Sequence, residues 1–344
     1  MKRILQLIIF FVVCVSIVYM VLKKTTAQSP ISSLQKASSQ LGNTHPLSIA
    51  AMRKKQYPGS IMIIEQTLQN NSNYKQYIAS YTSDGLKIYG LLTVPLDEKP
   101  SEGFPAIIFN HGYIPPTMYR TTERYVAYVD AFAKNGYVVF KPDYRGNGSS
   151  EGKPEGAYYS PAYVIDDLNA IASVRKLSYV NANKIGIWGH SMGGNITMRN
   201  IVVRPNDAKA VVIWGGVVGS YTELLNWHDP SYKPPPEELR LRNLHRAEII
   251  QKYGTPKTNP AFWQSIDPSY YIKEITVPVQ LHVGEADEEV PPSFSKNLDN
   301  KLQKAGKTVE FYSYPGSDHN ISEGFNLAMQ RSLAFFDKYV KGNM

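Results

Sequence analysis

Residues 4–22 form one nearly unbroken apolar run, with Lys2 and Arg3 before it and Lys23 and Lys24 after it. The run is long enough to cross a hydrocarbon core and longer than the core of an ordinary export signal. Residues 1–24 are therefore expected to act as a hydrophobic membrane anchor; a cleaved signal with a secreted product is the alternative. Residues 25–73 are polar, with Ser, Gln and Lys recurring, and read as a linker with one short helix near 46–57. From Tyr74 onward the texture is that of a folded body.

In that body, residues 77–81 and 86–94 read as strands around Ser83-Asp84-Gly85, a hairpin turn signal. Short apolar runs follow at 106–110, 137–141, 184–188, 210–214, 277–283 and 308–312. Helical spacing alternates with them over 122–135, 161–174, 191–203, 292–305 and 321–339. The pattern predicts an α/β domain over 74–344, with an eight-stranded, mostly parallel sheet and helices on both faces. Catalytic groups are expected at the C-terminal edge of the strands. Residues 216–275, rich in Pro, Trp and Tyr, read as an irregular, small cap insertion after the sixth strand.

The net charge of +8 invites a nucleic-acid reading. Eight bases and no acid lie in residues 1–60, so the whole excess sits next to the apolar run and the body is neutral. That distribution argues against a nucleic-acid groove and for flanks of a membrane segment. Cys14 is the sole cysteine, so neither an intrachain disulfide nor a cysteine metal site is available. Nothing in the chain calls for a metal or an organic cofactor.

The strongest local signal is Gly189-His190-Ser191-Met192-Gly193, placed between a predicted strand and a predicted helix. That is the context of a nucleophile elbow, in which a tight turn exposes a serine at a helix N-terminus. A serine hydroxyl needs a base, which in this order of elements lies downstream. His228 and His245 fall in the cap, and His282 falls inside a strand, where a packed core role is expected. His319 lies in the turn-rich loop after the last strand and is the expected base. The loop after the preceding strand offers Glu285, Asp287, Glu288 and Glu289; Asp287 is the expected acid, orienting His319. Asp318 adjoins His319 too closely to align with it. The expected oxyanion donors are the backbone N–H groups of Met192 and Tyr113.

These segments together resemble the catalytic domain of the prolyl oligopeptidase family of serine peptidases, within the α/β-hydrolase fold. The resemblance runs over about residues 77–339. It rests on Ser83-Asp84-Gly85, His111-Gly112, Asp143-Tyr144-Arg145-Gly146, the elbow with Gly194, residues 284–291 and residues 314–319. Asn259-Pro260-Ala261-Phe262-Trp263 and Tyr270-Tyr271-Ile272 match the stretch those enzymes carry before the acid. The resemblance implies a serine peptidase acting on small peptides through an acyl-enzyme; a carboxylesterase on small acyl esters shares the same motifs. A non-catalytic, membrane-anchored binding protein is the alternative of another class. The stretch before Tyr74 is too short for the family's N-terminal propeller gate, so strict dipeptidyl peptidase action is not expected, and His111-Gly112-Tyr113 stands where many relatives have His-Gly-Gly. Tyr113, Trp214, Tyr221, Trp227 and Trp263 are candidates to line an apolar pocket. Sequons at Asn195 and Asn320 flank the expected nucleophile and base, where a glycan would block the site. The expected setting is thus a bacterial cell envelope, with the catalytic domain outside the cytoplasm.

Overall fold

A computed structural model describes residues 44–227 and 236–342. The expected membrane segment and His228 lie outside the described residues. Among the described residues, no helix is long and apolar enough to cross a membrane.

The short helix α1 (Ile49–Lys54) opens the described body, capped by the Ser48 hydroxyl on the amide of Ala51. Three antiparallel strands follow: β1 (Ile63–Thr67), β2 (Tyr74–Ser83) and β3 (Leu86–Pro95). Asp84 and Gly85, both at positive φ, make the two-residue turn between β2 and β3. The remaining strands are β4 (Phe104–Asn110), β5 (Val138–Pro142), β6 (Val180–His190), β7 (Ala210–Trp214), β8 (Val279–Gly284) and β9 (Val309–Tyr314). They join the first three in one nine-stranded sheet of order β1-β2-β3-β5-β4-β6-β7-β8-β9. From β5 to β9 every pairing is parallel.

Every residue of β4, β5, β7 and β8 is buried, as strands covered on both faces require. Ala106, Ile108, Val211 and Ile213 point into one core, and Ile107, Phe109, Val212 and Trp214 into the other, following the two-residue pleat. The covering helices include α2 (Val126–Lys134), α3 (Ala162–Val174) and α4 (Met192–Val203). Beneath β2 and β3, buried Asp166 of α3 accepts from Arg145 Nη2 at 2.7 Å, Arg145 Nε at 3.0 Å and Ser83 Oγ at 2.7 Å.

The α/β class is as expected, but the strand count is nine rather than eight. All five residues of β1 are exposed, so it carries no alternating burial for a sequence pattern to reveal; backbone pairing to β2 defines it. The linker reading of 25–73 is corrected over its described part. Leu47, Ile49 and Met52 are core residues, and Arg53 Nη2 donates to Val202 O at 2.7 Å, so this stretch is packed on the body.

Residues 216–275 follow β7, the sixth of the predicted strands, and their described part is largely helical rather than irregular. It comprises α5 (Tyr221–Asn226), α6 (Pro236–Tyr253), α7 (Pro260–Ile266) and two 3₁₀ turns. Pro236 and Pro260 open their helices, where a missing N–H costs nothing, although in sequence they read as breakers. Beyond the cap come α8 (Pro292–Lys304) and α9 (Phe325–Phe336).

Candidate active site

Ser191 sits between β6 and α4 with φ 54° and ψ −120°, a backbone region that a residue with a side chain occupies only under constraint. The constraint is visible. Ser191 N donates to Trp214 O on β7 at 3.1 Å, and its carbonyl accepts from Gly194 N and Val217 N. A Cβ on Gly189 would meet the backbone of Gly193 at 2.6 Å, and one on Gly193 would strike the carbonyl of Asn110. Glycine at both positions is therefore a steric requirement of the turn.

Asp287 and His319 come together from the loops after β8 and β9. The Asp287 Oδ2 to His319 Nδ1 distance is 2.7 Å. Asp287 Oδ1 accepts from the amides of Glu289 and Val290 at 2.9 and 2.8 Å, and the carboxylate is fully buried. His319 Nε2 is buried with no hydrogen-bond partner among the described residues; its ionic neighbour is Glu289 Oε2 at 3.9 Å. Ser191 and His319 line one cavity of about 420 Å³, together with Gly112, Tyr113, His190 and Glu289.

The loop after β4 passes directly over the elbow. A Cβ on Gly112 would lie 3.1 Å from Ser191 Cβ and 2.5 Å from Tyr125 Oη. The amide of Gly112 donates to Tyr125 Oη at 2.9 Å. The next amide along the loop is that of Tyr113. Tyr113 and Met192 also wall a narrow apolar cavity of about 30 Å³, closed by Tyr158, Tyr159, Tyr163 and His245. Of the other expected pocket aromatics, Trp214, Tyr221 and Trp263 are core residues, and Trp227 lines a separate small cavity with Tyr158 and Leu224. His282 is buried in β8 between Tyr314 Oη and Gln280 Oε1, at 2.8 and 2.7 Å.

Several buried polar groups around the site are given no role by the sequence pattern. The His190 ring contacts Tyr125 Oη through Nδ1 at 2.8 Å and His319 O through Nε2 at 3.1 Å. Burial lowers its pKa to about 3, so the ring is neutral. Just past β5, Asp143 accepts from Tyr119 Oη at 2.7 Å and Thr121 Oγ1 at 2.6 Å, and burial raises it to about 6. Lys141, fully buried and lowered to about 8 by that burial, donates to the carbonyls of Glu123 and Arg124. No local motif marks Tyr125, and the elbow motif contains His190 without giving it a role; their proximity is a product of folding. Among the described residues there is no cluster of ligands suited to a metal ion.

The profile of the prolyl oligopeptidase family (Peptidase_S9) matches residues 124–343. The chain belongs to the prolyl oligopeptidase family. It is a serine hydrolase. It is 28% identical to the uncharacterized peptidase YtmA of Bacillus subtilis over 76% of this chain and 93% of that one. It is 26% identical to human dipeptidyl peptidase 8 over 70% of this chain, but spans a quarter of that larger protein. Among solved structures it resembles a puromycin-hydrolyzing peptidase of Mycobacterium tuberculosis, with TM-score 0.63 and 20% identity over 79% of this chain and 40% of that one. It resembles equally an acetyl xylan esterase from Paenibacillus sp. R4, with TM-score 0.63 and 17% identity over 90% and 99%. These two likenesses concern the fold.

Proposed function

We propose that the protein is a serine peptidase acting on small peptides through an acyl-enzyme, with Ser191 as nucleophile, His319 as general base and Asp287 as the residue that orients the base. The observation that carries this reading is the Asp287–His319 hydrogen bond. It occupies Nδ1 and leaves Nε2 without a hydrogen-bond partner among the described residues, in the cavity that Ser191 also lines. In the proposed reaction Ser191 Oγ attacks the substrate carbonyl and its proton passes to His319 Nε2. The same proton then leaves with the departing amine, and a water molecule repeats the sequence to release the acid. Asp287 stays ionised and stabilises the imidazolium.

The proposed oxyanion donors are the amides of Met192 and Tyr113. Gly112's amide is committed to Tyr125, so the loop's contribution falls to the next residue. The narrow apolar cavity walled by these same two residues supports a short apolar side chain or acyl group next to the reacting carbonyl. A carboxylesterase is the second reading, favoured by the small size of that cavity, which suits an acetyl-sized group.

A panel of short-chain p-nitrophenyl esters and aminoacyl-p-nitroanilides separates the two. The peptidase reading expects turnover of both; ester turnover with every anilide inert leaves the esterase. Fluorophosphonate labelling that Ser191→Ala abolishes is expected in either case, and its absence from folded wild type would favour a non-catalytic binding role.

A further inference from the structure

Arg124 and Tyr125, neither of them glycine, occupy successive left-handed positions, at φ 55° and 56°. L residues adopt this region reluctantly, and two in a row persist only where the surroundings impose them. The imposing group here is Lys141, buried on β5. Its ammonium donates to the carbonyls of Glu123 at 3.0 Å and Arg124 at 3.3 Å. The adjoining Asp143 holds Tyr119 and Thr121 of the same loop. The end of β5 therefore holds the approach to α2, and the turn delivers the Tyr125 side chain to the wall of the Ser191 cavity.

The hydrogen bonds at that side chain run one way. The carbonyl of His319 can only accept, so His190 Nε2 must carry its proton and donate at 3.1 Å. The ring is neutral, so Nδ1 is the acceptor, and the Tyr125 hydroxyl donates to it at 2.8 Å. The hydroxyl oxygen in turn accepts the Gly112 amide at 2.9 Å. One phenol and one imidazole thus join three segments far apart in sequence: the loop of Gly112 and Tyr113, the residue before Ser191, and the backbone of His319.

We propose that Tyr125, acting through His190, is a positioning residue that sets the Tyr113 amide and the His319 loop relative to Ser191. The inference rests on the serine-hydrolase reading above and adds two residues of the cavity wall, which act through the Gly112 amide and the His319 carbonyl. By holding the Gly112 amide, Tyr125 fixes the orientation of the peptide plane on which the Tyr113 donor follows. By polarising His190, it fixes the height of the carbonyl from which the His319 ring hangs. Its ring packs edge-on to Phe109, His190 and Trp188, so the hydroxyl is placed by a rigid aromatic cluster.

The test is steady-state kinetics of Tyr125→Phe and His190→Gln on one p-nitrophenyl ester, beside wild type and the double variant. Phenylalanine keeps the ring and removes the hydroxyl; glutamine keeps a donor for the His319 carbonyl and loses the Nδ1 acceptor. Tyr125→Phe is expected to lower kcat by roughly 10- to 100-fold with KM within about threefold, since misplaced catalytic groups cost turnover rather than binding. The double variant is expected to lose no more than the worse single one, because both cut the same chain. A folded Tyr125→Phe with kcat within about twofold of wild type, or fully multiplicative losses in the double variant, would overturn the proposal. If Tyr125→Phe does not fold, His190→Gln decides alone by the same kcat criterion. Failure of wild type to take a fluorophosphonate would instead defeat the underlying hydrolase reading, which keeps the two failures distinct.

Discussion

Asp287 accepts three hydrogen bonds at once: two from the amides of Glu289 and Val290 on Oδ1, and one from His319 Nδ1 on Oδ2 at 2.7 Å. The two amides fix the carboxylate, and the carboxylate fixes the tautomer of the imidazole. Asp287→Asn would present an N–H where an acceptor is needed, or turn the ring to the wrong tautomer. The expected loss in kcat is about 10⁴-fold, with folding retained. Stopped assays on the favoured ester, paired with near-UV circular dichroism, check both halves of that statement.

Gly112→Ala inserts a methyl 3.1 Å from Ser191 Cβ and 2.5 Å from the Tyr125 hydroxyl. The loop must lift, and it carries the proposed Tyr113 donor. Turnover is expected to fall by about 10²-fold, the usual effect of losing one oxyanion donor, with a smaller change in KM. Unchanged kcat in the folded variant would remove this loop from the oxyanion assignment.

The buried pair of Arg145 and Asp166 concerns stability rather than chemistry. Arg145 is 8% exposed and Asp166 is fully buried. Asp166→Ala leaves the guanidinium only the more distant Asp84 carboxylate at 3.8 Å and is expected to cost about 3 kcal/mol, because most of the compensation for a buried charge is gone. Urea unfolding should show a lower midpoint at unchanged slope.

Asp167 supplies a pH signature. Burial raises it from the ordinary carboxylate range to about 7, against hydrogen bonds from Asn110 and Asn200 that favour the charged form. The folded state therefore holds this proton at pH values where the unfolded chain has released it. Stability from this group is fully present below about pH 4 and is lost as pH rises through about 7. Asp167→Asn should flatten that part of the stability curve, with its amide oxygen standing where Asp167 Oδ2 accepts from both asparagines. Urea midpoints at pH 4.5, 6 and 7.5 for both proteins provide the comparison; parallel curves would exclude Asp167 as their source.

Residues 1–24 lead to a prediction about location. We propose that they hold the body at a bacterial membrane with the active site outside the cytoplasm. Deleting them should move the protein from the detergent-requiring fraction to the soluble one without loss of ester turnover. Asn195 donates to Val217 O at 3.0 Å from a buried position, so a glycan there is sterically excluded from the folded body.

Much of the architecture was legible because it depends on near neighbours. The strand–turn–helix at Ser191 is specified by two glycines and one helix start, and a backbone clash is a local event. Strands buried on both faces announce themselves as unbroken apolar runs, as in Ala210–Trp214. β1 was hidden because an exposed edge strand carries no burial pattern. The cap helices were hidden because prolines that begin a helix resemble prolines that end one.

By itself, the sequence determined the class of sheet, the elbow, and a short choice of partners on the loops after the last two strands. Local sterics and apolar periodicity are sufficient for those. Folding brought Asp287, singled out among four neighbouring carboxylates, onto His319 Nδ1, and it joined Tyr125 to His190 and Lys141 to the turn before Tyr125 from separate segments. Such contacts depend on strand order and helix docking, so no spacing along the chain encodes them.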